Sequence, residues 1–382
     1  MATLRSLDVP AGPDVLRVVP MLEAMLAGDV ALLPVPVFDL REKDILATAL
    51  GVGSWIDDDV AVVVSTSGTT GTPKGALLTS QVLTFSASAT HSRLGGPGRW
   101  LLALPAHHIA GLQVLIRSVL AGTTPVVMDV SRGFDVSALP AALAAMGGGR
   151  RYASLVAAQL VKALEVPEAA AALASLDAVL VGGGPLPASV AAAARAAGIP
   201  VVRTYGMSET AGGCVYDGVP LDGVRVRIDD DRVVIGGATL AKGYRSPVVP
   251  DPFAEPGWFR TDDAGSIDDR GVLRVHGRLD EAISTGGLTV LPQVVEESLA
   301  RHPAVARCAV FGMADDRLGQ RVVAVVVAAP GAKPPTLEDL RAHVARSLDV
   351  TAAPRELHII DELPLRGIGK VDRRALAERF GS

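Results

Sequence analysis

The chain has 382 residues, of which 49% are hydrophobic and 20% charged, with a formal net charge of −5. This length predicts two or three domains, and the apolar content is that of a folded enzyme rather than a disordered chain. The acidic balance without a basic stripe argues against nucleic acid as a partner. No apolar run is long enough for stable membrane insertion, and the N-terminus lacks a secretion-signal pattern. Two distant cysteines without metal-ligand spacing favour a reduced, cytoplasmic setting.

Strand and helix patterns alternate along the first 200 residues. Residues 1–55 are expected to be irregular apart from a helix near 38–50. Strands are predicted at 58–64, 100–104, 177–181 and 200–204 and from 126 onward, and 152–156 is a short strand or loop. Helices are predicted at 80–92, 111–120 and 137–146, after 156, and up to 197. This alternation predicts parallel βαβ units, whose ligands bind at the carboxyl ends of the strands.

The pattern changes twice in the second half of the chain. Short β segments with turns run from about 215 to 278. Beyond 280 the predicted elements are helices at 292–301, 336–347 and 372–380 and strands at 305–311, 321–328 and 356–360. We therefore predict an α/β fold in which a large N-terminal domain with a β-rich subdomain (1–279) precedes a small α+β domain (280–382).

The most informative loop is STSGTTGTPKG at 65–75, directly after the apolar run 60–64. Its glycines permit close backbone approach to a ligand, and its hydroxyls and N–H groups form a donor surface for an anion. Lys74 adds a mobile positive charge. A Walker A loop would need Gly at 73 and Ser or Thr at 75, where this chain has Pro73 and Gly75. The composition predicts a loop that binds nucleotide phosphates, and a flexible linker is the weaker interpretation.

Later loops hold further candidates, each weak alone. A glycine run follows the strand that ends at 181, and YGMSET follows the strand that ends at 204. In the latter, Tyr205 can stack on a base, Ser208 can bond a phosphate, and Glu209 can hold Mg²⁺. Downstream, FRTDD ends in carboxylates suited to ribose, GRLD supplies an Arg, and RGIGK sets Lys370 in a Gly-flanked loop.

The order of these segments resembles the adenylate-forming superfamily of acyl-CoA synthetases, adenylation domains and luciferases, from about residue 58 to 375. STSGTTGTPKG is similar to its phosphate loop, PAHHIAG to its P-x-x-H-x-x-G segment, and YGMSET to its Y-G-x-[ST]-E segment. FRTDD, GRLDEAISTGG and RGIGKVDR resemble its T-G-D, hinge and final-lysine segments. The resemblance implies ATP and Mg²⁺ as cofactors, CoA as co-substrate, a small carboxylic acid as partner, and a homodimer.

The resemblance also assigns roles to residues. Nucleotide binding falls to Ser65, Thr66, Ser67, Gly68, Thr69, Thr70, Lys74, Gly182, Gly183, Gly184, Tyr205, Gly206, Ser208, Asp263 and Arg278. The catalytic set is Lys370, Glu209 as Mg²⁺ ligand, His108 and Lys74, with Asp280 as the hinge. Substrate contacts are assigned to His108, Arg117, Gly206, Gly286 and Gly287, the two last facing the pantetheine channel after rotation of the small domain.

Two departures from the superfamily pattern are visible. The phosphate loop begins at 65, so the N-terminal subdomain is expected to be abbreviated. Asp262 stands where T-G-D has Gly, so ribose contact is expected to be shared between Asp262 and Asp263. Neither change removes a catalytic group.

The segment HHIAGLQVLIRSVLAG resembles a compact branch of the superfamily, the o-succinylbenzoate–CoA ligases of menaquinone biosynthesis. In this interpretation Arg117 reads the benzoate carboxylate, and His108 lies near the carboxylate that reacts; an amphipathic helix face is the plain alternative for Arg117. The alternatives for the whole chain are a ligase for another small aryl or acyl acid, or a stand-alone adenylation domain that loads a carrier protein. A non-catalytic nucleotide-binding relative is disfavoured, because Lys370 and Glu209 are both present.

Overall fold

A computed structural model describes residues 2–66, 73–366 and 370–380, with backbone alone at 366 and 370. The first sheet has the order β3-β1-β2-β4-β5. Its elements are β1 (Ala2–Val9), α1 (Val19–Ala27), β2 (Ala31–Pro36), α2 (Leu40–Ala49), β3 (Trp55–Ile56), β4 (Val60–Val64) and β5 (Ala76–Thr79). All five residues of β4 are buried, as expected for a β-branched run inside a sheet. This strand delivers the chain to the predicted phosphate loop.

The prediction that residues 1–55 are irregular is wrong, although the helix near 38–50 is confirmed as α2. Strand β1 pairs in parallel with β2 along six residue pairs. Two prolines in β2 argue against a strand, because proline cannot donate to a ladder. They are tolerated because β2 pairs with β4 only at Leu32. Pro34 and Pro36 therefore lie where β2 has a strand partner on one side only, namely β1.

The second sheet has the order β12-β11-β10-β9-β8-β6-β7. Its strands are β6 (Arg99–Leu102), β7 (Val126–Val127), β8 (Arg151–Val156), β9 (Ala178–Gly182), β10 (Val201–Met207), β11 (Gly212–Tyr216) and β12 (Val219–Pro220). The helices around it are α3 (Ser80–Arg93), α4 (Ile109–Leu120), α5 (Leu139–Ala144), α6 (Ala157–Leu164), α7 (Pro167–Ala174) and α8 (Ala188–Ala196). Strands β6 to β10 pair in parallel, which confirms the predicted βαβ units. Leu101, Ala153 and Val179 point from successive strands into one apolar core.

The remaining chain is β-rich and then α+β, as predicted. A four-stranded sheet contains β13 (Val224–Asp229), β14 (Arg232–Gly237), β15 (Trp258–Ile267) and β16 (Leu273–Arg278). The last part contains β17 (Ile283–Thr285), β18 (Leu288–Val290), α9 (Pro292–Leu299), β19 (Val305–Asp315), β20 (Gly319–Ala328), α10 (Leu337–Val344), β21 (Glu356–Ile359), β22 (Leu365–Arg366), β23 (Lys370–Val371) and α11 (Arg373–Phe380). Strands β18-β17-β20-β19 form a sheet, with β21 added to β20. Separate apolar clusters cover its two faces.

The chain divides into two compact units. One comprises 1–227 with 234–260, and the other comprises 228–233 with 261–382. The second unit includes β16 and the segment around Asp280. The predicted domain boundary at 279/280 stays a prediction.

A half-buried ion-pair network surrounds Arg373 of α11 in the second unit. Its Nη2 donates to both carboxylate oxygens of Glu296 at 2.8 Å, and its Nη1 lies 3.1 Å from Glu281 Oε2. Burial raises the pKa of Glu296, although Arg373 acts in the opposite direction. The carboxylate therefore depends on the guanidinium for compensation.

Replacing Arg373 with methionine is expected to lower the free energy of unfolding of this unit by about 2 kcal/mol, because it leaves the half-buried Glu296 carboxylate without its cation. The matched control is Arg374→Met, whose ion pair with Glu378 is exposed; its cost should stay below about 0.5 kcal/mol. Urea unfolding of both variants measures the difference. Equal costs would mean that the network does not stabilise the unit.

Candidate active site

The predicted phosphate loop leaves β4 at Ser65 and Thr66, and Ser67, Gly68, Thr69 and Thr70 lie outside the described residues. The buried hydroxyl of Thr66 has no hydrogen-bond partner in the described part of the chain. A buried hydroxyl without a partner is costly, so a ligand oxygen would be favourable there. After the loop, the carbonyls of Lys74 and Gly75 accept from the backbone N–H groups of Ser246 and Arg245 at 3.1 and 2.8 Å. The segment after the loop is thereby held by a distant part of the chain.

The glycine run lies at the carboxyl end of β9. Gly182 is half-buried, and Gly183 and Gly184 are exposed. The turn Ser208–Thr210 follows β10 in the neighbouring position. Both loops therefore lie at the edge where open α/β sheets bind ligands, as the sequence predicts.

Residues 205–211 have a tightly constrained backbone. The ladder between β10 and β11 shifts register between Tyr205 and Gly206, and a Cβ at Gly206 would lie 2.1 Å from the carbonyl oxygen of Gly212. Ala211 adopts a left-handed conformation with φ 53°, which is strained for a residue with a Cβ. Its carbonyl accepts from Ser86 Oγ at 3.0 Å and from Gln113 Nε2 at 2.9 Å. Helices α3 and α4 thus both fix the turn that carries Ser208 and Glu209.

Glu209 and Lys74 both contact Tyr244, a residue that the sequence reasoning missed. The Tyr244 hydroxyl donates to Glu209 Oε1 at 2.6 Å, and Lys74 Nζ lies 5.4 Å from the centre of the Tyr244 ring. Glu209 is buried. The structure therefore brings together the predicted Mg²⁺ ligand and the predicted phosphate lysine.

Helix α4 begins directly after the histidine pair. His108 is the N-cap residue of α4, and its ring centroid lies 4.2 Å from that of His107. His107 is buried, and burial, reinforced by the proximity of His108, lowers its pKa to about 3. Burial therefore leaves His107 neutral beside the half-buried His108.

Arg117 lies on the buried side of α4. Its guanidinium is 5.0 Å from the centre of the Trp100 ring, and its Nε has no hydrogen-bond partner in the described part of the chain. Trp100 Nε1 in turn lies 3.4 Å from His91 Nε2. Burial lowers the pKa of Arg117, and burial together with Arg117 lowers that of His91 to about 4. The described residues offer Arg117 no carboxylate within ion-pair distance, so its burial is not compensated by an ion pair.

Arg117 lies in the last turn of α4, whereas His108 lies at the start of that helix, and Trp100 lies at the start of β6. The structure therefore does not bring Arg117 to the carboxyl edge of the sheet, and its contact with the benzoate carboxylate stays a prediction.

A second group of predicted residues meets in the other compact unit. Asp263 of β15 and Arg278 of β16 are register partners. Arg278 Nη2 lies 2.6 Å from Asp280 and 3.5 Å from Asp262, and its Nη1 lies 3.9 Å from Asp263. Although burial opposes its charge, these carboxylates raise the pKa of Arg278 above its ordinary value. Asp263 is buried, whereas half of the Asp262 side chain is exposed. Ribose binding by either carboxylate stays a prediction.

Gly286 and Gly287 form the two-residue turn between β17 and β18. Both have positive φ, at 58° and 82°, as a type I′ hairpin turn requires. Lys370 begins β23, and its backbone pairs with that of Arg366. Residues 367–369 and the Lys370 side chain lie outside the described part of the chain, so the predicted role of Lys370 stays a prediction.

The sequence profile of the AMP-binding enzyme family matches residues 42–245, more than half of the chain. The chain belongs to the AMP-binding enzyme family. The profile of the AMP-binding enzyme C-terminal domain matches residues 294–370. This confirms the resemblance drawn from the ordered motifs and places the chain among adenylate-forming ligases, which use ATP.

Known members of the AMP-binding enzyme family are similar along nearly the whole chain. A protein of Mycobacterium tuberculosis described as a probable 2-succinylbenzoate–CoA ligase is 66% identical over 381 residues, or 99% of this chain and 98% of that protein. The structure of o-succinylbenzoate CoA synthetase from Bacillus subtilis, solved with the acyl-adenylate intermediate OSB-AMP, has a TM-score of 0.82 and 25% identity; the match covers 98% of this chain and 88% of that one. The same synthetase with ATP and a magnesium ion has a TM-score of 0.72 and 28% identity, covering 94% and 81%. The predicted fold class is confirmed.

The candidate metal site of this family member has the composition that Mg²⁺ favours. The described residues contain no group of three or more His, Cys, Asp or Glu side chains arranged to hold a metal. Mg²⁺ commonly binds through one or two carboxylates together with substrate phosphates. A single buried carboxylate, Glu209, whose partner Tyr244 also contacts Lys74, fits that mode. In the described part of the chain, no helix has both the length and the apolar composition to cross a membrane.

Proposed function

We propose that the chain is an ATP-dependent acid–thiol ligase that converts o-succinylbenzoate to o-succinylbenzoyl-CoA through an acyl-adenylate, a step of menaquinone biosynthesis. The observation that carries the proposal is the 66% identity to a probable 2-succinylbenzoate–CoA ligase, which extends over 98% of that protein. The related Bacillus subtilis structure supports it further, because it holds the acyl-adenylate that this reaction passes through.

The reaction has two steps, and each conserves its atoms. An oxygen of the succinyl carboxylate attacks the α-phosphorus of ATP, the bond from that phosphorus to the bridging oxygen breaks, and pyrophosphate leaves. The CoA thiolate then attacks the acyl carbonyl, and AMP leaves. The protein's task in the first step is to neutralise the charge that develops on the phosphates.

The residues of the first unit divide this task. The backbone and hydroxyls around Ser65 and Thr66 hold the phosphates, and Lys74 adds positive charge. Ser208 contacts the α-phosphate, and Tyr205 stacks on the adenine. Glu209 would hold Mg²⁺, and the bound ion would neutralise phosphate charge. The roles of Lys74 and Glu209 are supported by one residue, Tyr244, which contacts both of them.

The residues of the second unit bind the ribose and switch the enzyme from adenylate formation to thioester formation. Asp263 and Arg278 contact the ribose, and Lys370 bridges the α-phosphate and the substrate carboxylate. A hinge at Asp280 then withdraws Lys370 and brings the Gly286–Gly287 turn toward the pantetheine arm of CoA. The homodimer and the cytoplasmic location stay predictions.

We assign recognition of the second carboxylate of the substrate, the benzoate group, to Arg117. Support comes from its burial, its unpartnered Nε and its position on the Trp100 ring. A fixed cation in an apolar layer favours an anionic group over a neutral one by charge-assisted hydrogen bonding. The benzoate carboxylate of o-succinylbenzoate is such a group, reached directly or through water.

Replacing Arg117 with methionine should raise the KM for o-succinylbenzoate about ten- to a hundred-fold, the loss expected for one charged hydrogen bond. The control is a second substrate, 4-oxo-4-phenylbutanoate, which has the reacting carboxylate but lacks the ring carboxylate. Its KM should change little, which also shows that the variant is folded. Steady-state pyrophosphate release measures both values. An unchanged KM for o-succinylbenzoate would remove Arg117 from the substrate site.

A panel of acids tests the proposal as a whole. Pyrophosphate release is followed with ATP and Mg²⁺ for o-succinylbenzoate, benzoate, a medium-chain fatty acid and several amino acids, each with and without CoA. We expect pyrophosphate release with o-succinylbenzoate, and formation of its CoA thioester when CoA is present. Preference for another acid would replace the substrate, and release without transfer to CoA would indicate a carrier protein as acceptor.

A further inference from the structure

We propose that Tyr244 is a positioning residue that orients the Glu209 carboxylate for Mg²⁺ and holds Lys74 beside it. The inference rests on the proposed role of Glu209 as the metal ligand. Tyr244 lies outside the predicted motifs, in the segment between Ala241 and Ser246.

This segment connects two elements of the site through its backbone. The N–H of Ala241 donates to the carbonyl of Glu209 at 2.9 Å. The N–H of Leu77 donates to the carbonyl of Gly243 at 3.0 Å, and the carbonyl of Leu77 accepts from the N–H of Lys242 at 2.9 Å. Tyr244 itself forms an isolated antiparallel bridge with Ala76. The backbone of Tyr244 is therefore fixed between the Glu209 turn and the strand that leaves the phosphate loop.

The Tyr244 side chain is fixed as well. Its ring packs edge-on against Phe253, with 5.5 Å between centroids, and Phe253 packs against Phe259 at 4.7 Å. A ring held in this way directs its hydroxyl at one point in space. That point is Glu209 Oε1, at the short distance of 2.6 Å that is typical of a hydroxyl donating to a carboxylate.

The two contacts of Tyr244 have separable consequences. The hydroxyl restrains the rotation of a buried carboxylate, as outer partners of metal ligands commonly do. The ring face attracts the Lys74 ammonium, because 5.4 Å is within the range of a cation–π contact. Phenylalanine at 244 removes the first contact and keeps the second, whereas leucine removes both.

The test measures Mg²⁺-dependent binding of the non-cleavable analogue α,β-methylene-ATP by calorimetry, so that it needs no acyl substrate and no turnover. Tyr244→Phe is expected to raise the Mg²⁺ concentration for half-saturation about ten-fold, the lower end of the effect of losing such a partner. Saturating Mg²⁺ should restore binding in this variant. Tyr244→Leu should bind the analogue more weakly even at saturating Mg²⁺, because Lys74 has lost its support.

Two comparison variants make the result specific. Glu209→Gln should shift the Mg²⁺ dependence at least as much as Tyr244→Phe. Tyr152→Phe removes another buried hydroxyl, which lies 3.0 Å from the carbonyls of Leu94 and Gly96, and should leave the Mg²⁺ dependence unchanged.

If the Mg²⁺ concentration for half-saturation rises in Glu209→Gln but not in Tyr244→Phe, the role of Tyr244 is refuted and the proposed function is unaffected. An equal shift in Tyr152→Phe would also refute that role, since the effect would then be general. Failure of the wild-type protein to use o-succinylbenzoate would instead contradict the proposed function, and the analogue titration would still report on Tyr244.

Discussion

Replacing Lys370 with alanine is expected to lower the rate of acyl-adenylate formation about a thousand-fold and to leave thioester formation from supplied adenylate nearly unchanged. The reason is the charge that develops between the carboxylate and the α-phosphate in the first step, which a single positioned ammonium neutralises. The second step displaces AMP from a carbonyl carbon, and in the proposed mechanism the small domain has by then rotated and withdrawn Lys370 from the site.

Single-turnover pyrophosphate release measures the first step, and CoA consumption with synthetic o-succinylbenzoyl-adenylate measures the second. Lys333→Ala is the matched control, because Lys333 is an exposed lysine of the same compact unit; both rates should match the wild type. An equal loss in the two half-reactions would contradict the assigned role of Lys370.

The second large effect is expected for Glu209→Gln, which keeps the shape of the side chain and removes its charge. Pyrophosphate release at millimolar Mg²⁺ should fall about a hundred-fold, because a neutral amide is a poor ligand for a hard cation. The hydrogen bond with Tyr244 can persist with an amide oxygen, so the fold of the turn should survive.

The measurement is the rate of pyrophosphate release as Mg²⁺ is raised, with Glu168→Gln as the control. Glu168 is an exposed carboxylate in the first turn of α7, far from any predicted site residue in the sequence. A Glu209→Gln enzyme with an ordinary rate and an ordinary Mg²⁺ dependence would remove Glu209 from the metal site.

The sequence predicts the parallel sheet and the positions of its polar loops well, for a physical reason. Strands β4 and β9 are short, mostly buried apolar runs followed at once by Ser or Gly, and burial forces such runs into a sheet whichever partners they find. Strand β10 is less apolar and extends to Met207, three residues beyond the predicted end. Because parallel strands end at one edge, the loops after β9 and β10 come together without further information.

The missed features depend on contacts that are distant in sequence. Strand β2 contains prolines that argue against a strand, and only its one-sided pairing makes them acceptable. Tyr244 has no local pattern, because its role comes from reaching Glu209 and Lys74 across the fold. The stacking of Arg117 on Trp100 likewise arises from packing between α4 and β6.

The register between paired strands is another feature that the sequence alone does not predict. Asp263 and Arg278 are both visible as candidates, yet that they face each other follows from the pairing of β15 with β16, which includes an irregularity between Ala264 and Gly265. One shifted residue would turn either side chain to the opposite face.

The most direct test of the central claim is the fate of the carboxylate oxygen. The enzyme is supplied with o-succinylbenzoate that carries oxygen-18 in the succinyl carboxylate, together with ATP, Mg²⁺ and CoA, and the nucleotide product is analysed by mass spectrometry. Attack of that carboxylate on the α-phosphorus predicts AMP containing one oxygen-18 atom, alongside unlabelled pyrophosphate and the CoA thioester. Unlabelled AMP, or ADP with labelled phosphate, would contradict an acyl-adenylate and with it the proposed mechanism.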